Sequence, residues 1–237
     1  MTTAHFTVHA PRWARAALAG ICLALAACSS QTPAPAWQAD AHSAAQRATD
    51  AYLSGQDRVA QLEWQRAREA IARTGQPALM ARLELLHCAA QAASAMPDAC
   101  HRYVALQADA QPAEKVYAAY LEAQPLSAAQ IALLPAPQQG VAAAAGQGGG
   151  AQVAALTDPL AQLVAAGVLL RRGQASPAVV QTAVDTASRQ GWRRPLLAWL
   201  GVQRQLAEQG GQPDEAARLR RRMDLLEQAG KPLTQGQ

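Results

Sequence analysis

Apolar residues recur along most of the chain at spacings of three and four. From Trp37 they fall at Ala41, Ala44, Ala45, Ala48 and Tyr52, one stripe of a helix that runs to Leu53 and is broken at Gly55. A second helix is predicted from Asp57 to Thr74, carrying Ala60, Trp64, Ala67 and Ile71, and Gly75-Gln76-Pro77 ends it. Pro77 suits the first turn of a third helix, Ala78 to Ser94, with Leu79, Leu83, Leu86 and Ala90 inward. Residues 98–123 read as one or two further helical pieces, with a start at Pro112, and a short helix follows from Ser127 to Leu134.

The rhythm weakens at Pro135-Ala136-Pro137 and at the glycines 146 and 148–150, so 136–152 is expected to be a flexible linker or long loop. It returns at Asp158-Pro159, where Asp158 is the expected N-cap of a helix to Leu170. Ser176-Pro177 opens the next helix, Arg194 to Gln209 forms another, and Pro213 to Leu226 the last. This predicts an N-terminal helical region over 37–135, a C-terminal helical region over 153–231 and a disordered tail over 232–237.

Composition sharpens the fold class. Half of the 237 residues are apolar, yet there are one Phe and four Tyr, and alanine and leucine dominate. Alanine is the best helix former and lets helices approach closely. The expectation is an all-α fold of antiparallel helical hairpins. Ala51-Tyr52-Leu53-Ser54-Gly55, followed by Trp64, Ala67 and Gly75, resembles tetratricopeptide-like repeats over about 40 residues. No second copy follows at the expected period, so a solenoid and a helical bundle both remain open.

The first 27 residues read as a signal peptide. A leader with Arg12 and Arg15 precedes twelve apolar residues, Ala16 to Ala27, a run too short for a permanent membrane span. Leu25-Ala26-Ala27-Cys28 resembles the lipobox of bacterial lipoprotein precursors. That resemblance implies cleavage before Cys28, diacylglycerol on its thiol and acylation of its amine, and two or three acyl chains anchor a protein firmly. By the same resemblance, Ser29 in place of Asp implies sorting to the periplasmic face of the outer membrane. Residues 28–36, with Pro33 and Pro35, form a short tether. The two resemblances together point to proteobacterial outer-membrane lipoproteins with tetratricopeptide-like helices.

Charge narrows the partners. The formal net charge is +4, and loss of Arg12 and Arg15 with the leader brings it to +2, which gives no case for nucleic acid. Arg218, Arg221 and Arg222 lie on one helix among Asp214, Glu215 and Asp224, and most such groups are an ion-laced solvated face. With Arg193 and Arg194 beside Trp192 they are the candidate binding surface for an acidic partner, lipid headgroups or peptidoglycan. Trp37, Trp64, Trp192 and Trp199 are core fillers or lining of a concave face.

Cys22 leaves with the leader and Cys28 is the lipidation site, so Cys88 and Cys100 remain. An oxidising compartment favours a disulfide between them, a staple worth on the order of 3 kcal/mol for so short a loop. His87 and His101 suggest a zinc set as the alternative, but neighbours on a helix point about 100° apart, which opposes convergence of all four. The glycine tract lacks the Lys-Ser or Lys-Thr of a phosphate loop, and there is no His-Glu-x-x-His or nucleophile elbow. No metal, cofactor or catalytic set is expected. The functional expectation is a lipid-anchored scaffold or accessory protein with a protein partner in the cell envelope, the alternative being a peptidoglycan or small-ligand module.

Overall fold

Helix α1 (Ala36–Leu53) buries Ala41, Ala44, Ala45, Ala48 and Ala51, and α2 (Asp57–Ala72) answers with Ala60, Trp64, Ala67, Ala70 and Ile71. Alanines on both faces let the two backbones approach, and Trp64, 3% exposed, fills the volume they leave. Gly55 turns the chain between them at φ +76°, a conformation glycine adopts without strain. The computed structural model describes residues 35–96, 100–144, 146 and 149–229. The leader, Cys28 and Ser29, the tether up to residue 34 and the tail 232–237 lie outside the described residues.

The described chain holds twelve α-helices and no strand. After the first hairpin come α3 (Pro77–Ala93), α4 (His101–Val104), a 3-10 turn at Gln107–Asp109, α5 (Pro112–Leu121), α6 (Ala128–Ile131), α7 (Ala136–Ala143) and α8 (Gly150–Ala155). The remaining helices are α9 (Pro159–Arg171), α10 (Pro177–Gln190), α11 (Arg193–Gln209) and α12 (Pro213–Ala229), each packed on the one before it. Their starts follow the sequence punctuation. Asp158 and Ser176 each accept a hydrogen bond from a backbone N–H of the first turn, at 2.6 and 3.4 Å, and a proline occupies the first position of both helices.

Helix α9 is the centre. Every residue from Gln162 to Leu169 is buried, so no face of it is left to solvent. It packs on α3, α5, α7, α8 and α10. The α3–α9 crossing is closest at Gly167, where a Cβ would lie 2.0 Å from the Ala92 carbonyl oxygen. One residue on, the fully buried Trp199 of α11 donates its indole N–H to the Ala93 carbonyl at 2.9 Å. A carbonyl at the end of α3 that the helix itself cannot satisfy is met by the C-terminal half of the chain.

These long-range seams decide between the two all-α arrangements. In a solenoid each repeat touches only its neighbours. Here α3 meets α9 and α1 meets α11, so the helices close into a bundle. The two helical regions also share one core, a cluster of buried side chains running from Leu53 to Leu219 within a single compact unit over 36–237. The expected division into two regions joined by a linker is therefore corrected.

The segment 136–152 is the specific correction. It carries α7 and the start of α8, with Val141, Ala142 and Val153 buried. The Gln138 amide accepts from the Tyr120 hydroxyl at 2.7 Å and donates to the Ala161 carbonyl at 3.0 Å, while Gln162 of α9 donates to the Val153 carbonyl at 2.9 Å. Gly149, at φ +50°, brings the backbone so near α9 that a Cβ would sit 3.2 Å from Leu169. Glutamine amides and close glycine packing replace the missing apolar stripe.

Candidate functional site

Two adjoining cavities follow α1. The first, about 710 Å³, is walled by Trp37 and Ala41 of α1, Leu79 and Leu83 of α3, Tyr117 of α5 and Leu133 before α7. The second, about 800 Å³, is lined by Thr49, Asp50 and Leu53 of α1, Asp158 and Leu160 at the start of α9, and Trp192 before α11. His42, Ala45 and Leu86 line both, so the two adjoin along α1 and together make a groove. Alanines on α1 leave the depth, and leucines on α3 make the floor apolar.

The two ends differ in charge. At the Trp37 end, Arg82 donates to Glu114 at 2.7 Å, so the pair is neutral. At the other end Arg47 is engaged with the buried Glu63 at 2.9 Å, which leaves Asp50 and Asp158 with no ion-pair partner among the described residues. The Asp158 carboxylate accepts the capping N–H of Ala161, its one hydrogen bond among the described residues. Burial pushes the Tyr117 hydroxyl well above the ordinary phenol range, and the Asp158 carboxylate pushes it the same way.

Three carboxylates that periodicity alone does not mark join the helices beside this groove. Glu63 binds Arg47 and Arg66, Glu84 takes a two-pronged contact from Arg68 at 2.5 and 2.9 Å, and Glu114 takes Arg82. All three are buried. The Arg47 hydrogen bond is the largest cause holding the Glu63 carboxyl below its ordinary range, acting against burial. The available signal was register: Glu63 and Glu84 stand beside the inward Trp64 and between the buried Leu83 and Leu85.

The candidate binding arginines separate into two groups. Arg193 donates to the Gly55 carbonyl at 3.0 Å, and Arg194 donates to the Tyr52 carbonyl at 2.8 Å, pairs with Asp57 and lies 4.3 Å above the Tyr52 ring. Both are partly buried and fasten the α1–α2 turn to α11. Arg218 is paired with Glu215 at 2.6 Å, and Arg222 adds its charge to that of Arg218 at the same carboxylate. Arg221 is exposed on α12 with no partner among the described residues.

Cys88 and Cys100 lie at disulfide distance, with Cα atoms 5.6 Å apart. His87 packs against the rings of Trp64 and Tyr52 at 4.8 and 5.8 Å. Among the described residues no three His, Cys, Asp or Glu side chains are grouped to hold a metal ion, and no helix is long and apolar enough to cross a membrane. Trp64 and Trp199 are core residues, whereas Trp37 and Trp192 are half-buried at the two ends of the groove. No family model matches the chain, and no curated protein or solved structure does.

Proposed function

We propose that this chain is a lipid-anchored scaffold or accessory protein of a cell-envelope complex, facing the periplasm from the outer membrane and holding a protein partner in the groove along α1. The anchor rests on the lipobox-like Leu25-Ala26-Ala27-Cys28 and on Ser29 after it. The binding half rests on one observation, an apolar groove about 710 Å³ in its first part that continues past His42 and Leu86 to an acidic end. Concave apolar sites with a few placed polar groups are where proteins hold ligands and partners. Chemical cross-linking of the natively expressed protein, with mass spectrometry of what accompanies it, tests this reading. It expects one reproducible envelope complex, and recovery of only abundant porins or wall fragments would overturn it. Accumulation of uncleaved, unacylated precursor in Cys28→Ala tests the anchor separately, and an unchanged acyl-bearing mature product would overturn it.

The second reading is a small-ligand module, favoured by the size of the same cavity, which lies within the range of small-molecule sites. It predicts a copurifying apolar compound that organic extraction releases from the native protein. Peptidoglycan binding through α12 predicts retention on purified wall at moderate salt, with loss in Arg221→Ala.

A further inference from the structure

We propose that the groove takes one amphipathic helix of the partner, lying along α1 with its apolar face toward Trp37, Leu79 and Tyr117 and a cationic end against Asp50 and Asp158. This deepens the scaffold reading and rests on it. The occupant follows from the walls. They are helices and helix ends, with no free sheet edge, so an extended peptide would leave its own N–H and C=O groups unpaired against leucine and alanine. A helix satisfies its backbone internally and presents only side chains. Its length is set by α1: the sixteen steps from Trp37 to Leu53, at about 1.5 Å per residue, span roughly 24 Å, matching a partner helix of about 16 residues.

Charge fixes the direction. Arg82 is paired with Glu114, and Arg47 shares Glu63 with Arg66, so Arg47 offsets part of the acidic end without reversing it. Asp50 and Asp158 have no ion-pair partner among the described residues, are both exposed and lie at the Trp192 end, where they outnumber Arg47. His42 is exposed where the two cavities adjoin. Lysine or arginine on the last turn of a bound helix meets two carboxylates there, while the apolar stripe fills the neutral end.

The test uses the mature protein and two synthetic helical peptides of about 16 residues with the same leucine-rich face, one ending in two lysines and the other in two glutamates. Binding is followed by fluorescence anisotropy of the labelled peptide, and position by cross-linking from a photoreactive residue at Leu79. The lysine peptide is expected to bind about tenfold tighter than the glutamate peptide, the effect of two exposed ion pairs, and the difference should shrink with added salt. In the doubly substituted Asp50→Asn, Asp158→Asn protein the preference should vanish while the apolar contribution remains. Asparagine keeps the N-cap of α9, so that variant folds. Equal affinity for the two peptides, no binding of either, or palmitate displacing the peptide without regard to its charge would each overturn the proposal. A specific envelope complex recovered from cells alongside any of these results would leave the scaffold reading standing.

Discussion

Replacing Gly167 with alanine tests the packing argument, because helix propensity and packing predict opposite signs. Alanine is favoured over glycine inside a helix by about 1 kcal/mol, so propensity alone predicts a more stable protein. The structure predicts the reverse. The new Cβ would lie 2.0 Å from the Ala92 carbonyl oxygen and 2.8 Å from its carbon, both of them backbone atoms that cannot rotate away. To restore an ordinary contact of 3.4 Å, α3 and α9 must part by about 1.4 Å. Separation of that size loosens the central seam, and overpacking of this kind costs about 3 kcal/mol at the upper end of its range. Against the gain in propensity, the net loss is about 2 kcal/mol, a fall in Tm of about 4–8 °C for a unit of this size. Gly201→Ala is the matched control, since its Cβ would meet nothing nearer than Met223 Cε at 4.0 Å. It should raise Tm by about 2–4 °C. Thermal unfolding of both variants followed by circular dichroism gives the answer. A Gly167→Ala protein as stable as the parent, or more so, would refute the close α3–α9 crossing.

Three further outcomes are expected. Reduction of the Cys88–Cys100 pair, twelve residues apart, should lower stability in a urea titration by about 3 kcal/mol, and free thiols found before reduction would remove the staple. Trp199→Phe leaves the Ala93 carbonyl without its donor, and a loss of about 1–3 kcal/mol is expected by the same titration; a change near zero would show that water replaces the indole freely. The Glu63 carboxyl has a folded-state pKa below its ordinary value of 4.5, so its stabilising effect is present above that value and is lost as pH falls through the folded-state value. Glu63→Gln should therefore flatten the decline in urea stability on acidification below 4.5, and an unchanged pH profile would contradict the Arg47–Glu63 linkage.

Helix positions were legible because local chemistry sets them. Pro77, Pro112, Pro159, Pro177 and Pro213 each open a helix, and Gly55, Gly75 and Gly191 each turn the chain at positive φ. The approach of Cys88 to Cys100 was legible from their short separation along the chain. The rest depends on contacts between distant segments, which periodicity does not encode. Val141 and Val153 sit among alanine, glycine and glutamine, so their stretch reads as a loop until α9 supplies a surface for it. Arg193 and Arg194 look like surface charge because their partners are the Tyr52 and Gly55 carbonyls, about 140 positions earlier, and backbone acceptors leave no mark in a sequence. The groove combines residues of α1, α3, α5 and the α9 start, so its apolar and acidic ends appear only once the bundle closes.

The most direct test of the central claim is site-specific photo-cross-linking in cells that make the protein natively. A photoreactive residue is placed at Tyr117, inside the groove, and at Leu225, 67% exposed on α12 and outside it. The account predicts one envelope protein captured from position 117 through a single helical segment, and none of it from position 225. Equal capture from both positions, or no capture from position 117 in a folded protein, would contradict it.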